Sequence, residues 1–382
     1  MITKKIIGKF GELPTPFYFY DLDVLHRTCK TLRDESVRSG FKVHYAVKAN
    51  ANPRLLKIIS EYGFGADCVS FNEISIAISS GFKPSEIVFA GVGKTDKDID
   101  SALRNDIFCF NCESLQEIEV IGSLAGKLDR VATIALRINP YIEAFTHKYI
   151  TTGVPESKFG INTWELDGIL DRLSSLKHVT LKGIHFHIGS QITKMSVFKS
   201  LCTRINELQE WFLSKNIYLE IINVGGGLGI DYTDPEKPAP FEDYFSMIKE
   251  FVTLRSYQHL HIEPGRSLVG QCGSLISRVL FIKKGSNTTF AIIDAGMTDL
   301  IRPALYQAHH RIENLTSAGK ISKYDVVGPV CESADTFAKF IELPDTRRGD
   351  ILAIRSAGAY GESMASRYNL RDLPYSVFSD EI

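Results

Sequence analysis

The strongest constraint on this chain is a rhythm. A short apolar run, a polar or glycine-containing turn and a helical pattern follow one another along most of its length. Eight apolar runs carry it, at residues 42–48, 65–69, 87–90, 107–110, 132–138, 181–187, 221–224 and 260–263. Helical periodicity separates them at 53–62, 71–80, 97–104 and 114–124, and later at 164–173, 204–213 and 244–254. Strands that alternate with helices pair in parallel, because a parallel crossover needs a long connection. Eight such units predict a closed (β/α)8 barrel of TIM type; six or fewer would favour an open doubly wound sheet. Past residue 268 strand-like runs dominate, at 274–282, 289–294, 324–327 and 350–354. The expected fold class is therefore α/β, with a barrel over 24–268 and a second, β-rich domain over 269–382. The strand-like run at 16–20 suggests that residues 1–23 join that second domain.

Composition excludes several classes. A formal net charge of −1 over 382 residues leaves no electrostatic footprint for nucleic acid. No apolar run approaches a membrane span. The opening Met1-Ile2-Thr3-Lys4-Lys5 has no apolar core of a signal peptide, so a cytoplasmic protein is expected. Seven cysteines, an odd number in a long chain, argue against a disulfide framework. Cys109 and Cys112 have C-x-x-C spacing but no second pair or neighbouring histidine, so no metal is expected.

Reactive residue types gather at the carboxyl ends of the expected barrel strands, the face that carries active sites in this architecture. Alternation puts His44, Ala46 and Lys48 on one face of the first strand. A lysine at the barrel mouth is desolvated and nucleophilic and can form a Schiff base with an aldehyde. The strand read alone favours a lysine that simply turns to solvent. His185 and His187 share a face of the sixth strand, either as core imidazoles or as a flat ring against a cofactor. The seventh strand runs into Gly225, Gly226 and Gly227, a phosphate cup or a plain tight turn. The eighth ends Glu263-Pro264-Gly265-Arg266. Glu263 fits a protonated ring nitrogen or a local ion pair with Arg266. Together these are an amine, a flat ring, a phosphate cup and a carboxylate, the set that pyridoxal 5′-phosphate (PLP) requires.

Several motifs in series extend the pattern: Tyr45-Ala46-Val47-Lys48-Ala49-Asn50, His147 to Thr152-Gly153, Ser157-Lys158-Phe159-Gly160-Ile161 and His185-Phe186-His187-Ile188-Gly189-Ser190-Gln191. Then come Gly225-Gly226-Gly227, Glu263-Pro264-Gly265-Arg266, Arg302-Pro303-Ala304-Leu305-Tyr306, Cys331-Glu332-Ser333 and Gly358-Ala359-Tyr360-Gly361. Over nearly its whole length the chain resembles the alanine-racemase-fold PLP-dependent decarboxylases, and within them the diaminopimelate decarboxylase family.

The resemblance implies roles by position. Lys48 would hold PLP covalently and His187 would stack on its ring. Ser190, Gly225, Gly226, Gly227, Gly265 and Arg266 would hold the phosphate with Tyr360. Glu263 would meet the pyridine nitrogen, where the related racemases place an arginine. Arg266, Arg302 and Tyr306 would bind substrate carboxylate, Glu332 its distal ammonium, and Tyr360 would also line the substrate site. Cys331 or Lys48 would return the proton. The segment with Cys331 and Glu332 would enter the partner subunit's site, making a homodimer with shared active sites. The implied reaction converts meso-2,6-diaminopimelate to L-lysine and carbon dioxide, the last step of lysine biosynthesis. The alternative is a sister decarboxylase acting on another amino acid or a carboxylated polyamine. The adjacent His309 and His310 are expected on a helix surface.

Overall fold

The computed structural model describes residues 2–142 and 158–382; the stretch from His147 to Ser157 lies outside them. After β1 (Phe17–Tyr20), eight strands close a parallel barrel. They are β2 (Lys42–Ala46), β3 (Gly65–Cys68), β4 (Ile87–Phe89), β5 (Cys109–Cys112), β6 (Ala132–Arg137), β7 (Val179–His185), β8 (Ile221–Asn223) and β9 (His259–Ile262). The ring closes where β2 meets β9, through Lys42↔His261 and Val43↔Ile262. The expected barrel is thus formed. Every residue of β3, β4, β5 and β8 is buried. Strands covered on both faces read as largely apolar runs, which makes them visible in the sequence although Asp67, Asn111 and Asn223 lie within them.

The turns that follow these strands carry the helix start signals. Asn52 accepts from Arg54 N and precedes Pro53, Ser70 accepts from Glu73 N, and Ser114 from Glu117 N. Thr95 and Asp98 form a reciprocal capping box. Each such cap is worth about 1 kcal/mol and fixes where its helix leaves the rim.

Three local expectations need correction. The strand expected at 107–110 lies two residues later, because pairing of Val88 with Cys109 and Cys112 with Leu136 sets its ends. The helix expected from 204 begins at Met195. Lys48 sits not on β2 but in the 3-10 turn Val47–Ala49 beyond it. The helices Lys4–Glu12 and Leu22–Ser39 were not foreseen.

The chain divides into two compact units. One comprises Cys29–Gly229 and Pro240–Gly265 and contains the barrel; the other comprises Met1–Thr28, Ile230–Ala239 and Arg266–Ile382. The second unit is built on β10 (Gly273–Lys284), β11 (Thr289–Ile293), β12 (Ile312–Asn314), β13 (Ile321–Val327), β14 (Thr336–Pro344), β15 (Ile351–Ile354) and β16 (Tyr375–Phe378). The order is β12-β15-β10-β11-β13-β14, with β1 antiparallel to β10 and parallel to β16. Phe10, Phe17, Phe19, Ile276, Ile351, Ala353 and Val377 form one of its cores, and Phe10 meets the rings of Phe17 and Phe19 edge-on. Among the described residues, no helix is long and apolar enough to cross a membrane.

Candidate active site

Within the barrel unit, the carboxyl ends of the strands deliver a polar set to one centre. Glu263, directly after β9, is 4% exposed. Its Oε2 accepts from His185 Nε2 at 3.0 Å, and its Oε1 from Asn223 Nδ2 at 2.7 Å and Asn111 Nδ2 at 3.3 Å. Burial alone would raise the Glu263 pKa. The field and hydrogen bond of the His185 imidazole, reinforced by Lys48, outweigh burial and hold the carboxyl well below the usual carboxylate range. An ionised carboxylate in a buried place calls for a cation. The protonated nitrogen of a pyridine ring is such a cation, so this acid fits PLP.

Lys48 stands at the same centre. Its Nζ lies 3.5 Å from Asp67 Oδ2, and Asp67 is 1% exposed. Neither Asp67 oxygen has a hydrogen-bond partner among the described residues. Burial, then the charge of Glu263, push its carboxyl up to about 8, with Lys48 pulling the other way. Sequence reasoning passed over Asp67. The signal was present, since β3 pairs with β2 in the register Ala46↔Asp67 and the strand-end rule applies to it as much as to Lys48.

His187 lies two residues beyond β7. Gly226 N–H donates to its Nδ1 at 3.4 Å, so Nδ1 carries no proton. Burial, with Lys48 and Arg137 next, holds its pKa well below that of free imidazole, and the ring is neutral and flat. The glycines beside it are required by close approach. A Cβ on Gly225 would stand 2.0 Å from Phe186 O, and one on Gly226 would stand 2.3 Å from Glu263 O. Gly227 adds a left-handed φ of +112°. Ile192 N–H donates to Gly227 O at 2.9 Å, and this bond ties the turn containing Ser190 to the glycine turn. Two loops rich in main-chain groups thus run side by side, a surface that suits a phosphate. At Gly265 a Cβ would press on Ala46 and Ala49 at 3.1 Å. Arg137 at the end of β6 pairs with Glu113, whose Oε2 accepts from Gly160 N at 2.7 Å. This anchors the described part of the Lys158-Phe159-Gly160-Ile161 motif.

The remaining candidates belong to the second unit. Arg266 and Arg302 are 5% and 4% exposed. Both donate through Nη1 to the hydroxyl oxygen of Tyr232, at 2.6 and 2.7 Å. The Arg266 guanidinium also lies 4.8 Å from the Tyr360 ring centre, and Tyr360 holds a left-handed φ of 57°. Tyr306 ends the short helix Arg302–Tyr306 and is half-buried. Cys331 and Glu332 occupy the turn between β13 and β14, where Cys331 is an exposed free thiol. Glu332 accepts from Tyr368 Oη at 2.6 Å. Buried Asp335 fixes this turn by accepting from Met297 N and Val330 N. The expectation for the histidine pair fails. The helix stops at Tyr306, His309 is exposed, and His310 is 2% exposed with its Nε2 3.0 Å from Arg302 Nη1.

Comparison with known proteins gives this arrangement a family. The model for the pyridoxal-dependent decarboxylases, pyridoxal binding domain, matches residues 22–270. The diaminopimelate decarboxylase of Bacteroides thetaiotaomicron is 54% identical over 379 residues, covering 98% of each chain. That of Aquifex aeolicus is 41% identical over 96% of this chain and 86% of its own. The crystal structure of diaminopimelate decarboxylase from Helicobacter pylori complexed with L-lysine superposes with a TM-score of 0.92 at 39% identity, covering 98% of this chain and 94% of that one. A lysine/ornithine decarboxylase from Vibrio vulnificus shares the fold, with a TM-score of 0.86, at 20% identity. With a pyridoxal-binding barrel and relatives matched from end to end, the chain belongs to the diaminopimelate decarboxylase family of pyridoxal-dependent decarboxylases.

Proposed function

We propose that the protein removes one carboxylate from meso-2,6-diaminopimelate, giving L-lysine and carbon dioxide. The observation that carries this reading is the buried, ionised carboxylate of Glu263 in the same strand-end cluster as Lys48 and His187. When bound, PLP supplies a sink for the electron pair released as the bond between the substrate α-carbon and its carboxylate breaks. Lys48 holds the cofactor through its amine. Glu263 keeps a positive charge on the ring nitrogen, which favours carboxylate loss over the weaker sink of a racemase. His187, neutral and fixed by Gly226, covers the ring face. Gly225, Gly226, Gly227, Ser190, Gly265 and Tyr360 hold the phosphate.

In this reading Arg266, Arg302 and Tyr306 take the carboxylate at the non-reacting end, and Glu332 takes the ammonium beside it. Cys331 Sγ returns a proton to the α-carbon after carbon dioxide has left. The active form is a cytoplasmic homodimer in which each subunit lends Cys331 and Glu332 to its partner. The test is a substrate panel on the PLP-loaded protein, with carbon dioxide and lysine measured together. Equal yields of both from meso-diaminopimelate are expected. Carbon dioxide from ornithine or lysine, with none from diaminopimelate, would establish a sister decarboxylase instead.

A further inference from the structure

The arginine cluster of the second unit contains more than the two arginines. Tyr232 Oη accepts from Arg266 Nη1 and from Arg302 Nη1, so both of its lone pairs are used by cations. His310 lies edge-on to the Tyr232 ring, with centroids 4.9 Å apart at 76°. Its Nδ1 is 2.9 Å from Arg355 O. A carbonyl oxygen only accepts, so Nδ1 carries the hydrogen and Nε2 is bare. That bare nitrogen accepts from Arg302 Nη1 at 3.0 Å. Burial and the neighbouring guanidinium push His310 down to about 3, which keeps it a neutral acceptor.

The consequence is electrostatic. Arg302 is buried, Arg266 opposes its charge, and no ion pair links it to a carboxylate among the described residues. Its partners are two neutral acceptors, Tyr232 and His310. A carboxylate in either place would neutralise the cation and compete with a ligand. Neutral acceptors fix the guanidinium and leave its charge available. The support is itself anchored. Asp231 Oδ1 accepts from Thr233 N and Asp234 N, which sets the turn that presents Tyr232. Gln271 holds the same segment through Pro235 O and Lys237 O. Arg355, whose carbonyl receives His310, pairs with Glu313 and Glu236.

We propose that Tyr232 and His310 are positioning residues that set the orientation of Arg266 and Arg302, and thereby the selectivity for a substrate with a carboxylate at its non-reacting end. This rests on the diaminopimelate reading above. The test uses PLP-loaded Tyr232→Phe, His310→Leu and His310→Gln, with the cofactor absorbance recorded for each. Tyr232→Phe is expected to raise KM for meso-diaminopimelate about tenfold or more, with kcat changed much less, since the two arginines lose their orientation and meet the distal carboxylate less well in ground state and transition state alike. Inhibition by L-lysine, which keeps the distal carboxylate, should weaken in parallel. Inhibition by 1,5-diaminopentane, which has no carboxylate, should stay within about twofold. His310→Leu should behave like Tyr232→Phe, and His310→Gln, which restores an acceptor, should recover most of the loss.

Equal weakening for both inhibitors, or unchanged KM in Tyr232→Phe, overturns the proposal. If Tyr232→Phe does not load PLP, the two His310 variants decide: no difference between them overturns it. A parent protein that releases no carbon dioxide from meso-diaminopimelate would instead remove the underlying reading, and it would do so before any variant is made.

Discussion

Asp67 holds its proton up to about pH 8 in the native protein, whereas an exposed aspartate ionises near 3.8. Between pH 5 and pH 8 the unfolded chain has therefore released a proton that the native state keeps. The stabilisation that comes with this raised pKa is complete below 3.8 and is lost as pH climbs toward 8. The slope is at most about 1.4 kcal/mol per pH unit, or roughly 4 kcal/mol across the window. Asp67→Asn has nothing to titrate and escapes the loss. Glu263 titrates below the window, because its pKa is depressed. His44, His187, His261 and His310 are all lowered, so they add stability toward higher pH, but they do so in parent and variant alike. The difference between the two proteins isolates Asp67. The cofactor-free form is the one to measure, since Lys48 then keeps its free amine. Thermal unfolding followed by circular dichroism at pH 5, 6, 7 and 8 should show the variant's advantage widening by up to about 10 °C. An advantage that stays constant or narrows with rising pH would refute the assignment of a proton to Asp67.

Three further outcomes concern the same centre. Glu263→Gln should cut carbon dioxide release about 100-fold or more while the absorbance of bound PLP persists, because a neutral amide no longer holds charge on the ring nitrogen. It should also narrow the pH window of Asp67, whose second cause of elevation is the Glu263 charge, as unfolding curves of the cofactor-free double variant would show. Gly226→Ala should lower PLP affinity at least about tenfold in a fluorescence titration, because its Cβ would stand 2.3 Å from Glu263 O and one of the two turns must shift.

The barrel is legible because strands buried on both faces leave largely apolar runs, and because a capping residue follows several of them. The edge of legibility is instructive. β14 leaves no clear strand signal because only Phe337 and Leu343 of it are buried, and Lys339 and Glu342 interrupt its apolar run. β5 was shifted because Asn111 looks like a strand terminator; only the carboxylate it meets explains its place in the strand. Lys48, His187 and Glu263 are legible as neighbours because each stands within two residues of the end of a barrel strand. Tyr232 lies in a segment rich in aspartate and proline that reads as loop, and its partners Arg266 and Arg302 are distant in sequence. His310 is illegible for the same reason. Nothing near it in the chain announces an arginine donor or the carbonyl of Arg355.

The chain changes unit after Thr28, after Gly229, after Ala239 and after Gly265. A single recombination event between two homologues therefore cannot exchange one unit intact, because the second unit is assembled from both termini and an internal excursion. If Arg266 and Arg302 read the substrate as proposed, selectivity for new substrates arises by point changes within that interlaced set, or by transplanting all three pieces at once. Laboratory shuffling of this family should place its junctions at those four boundaries.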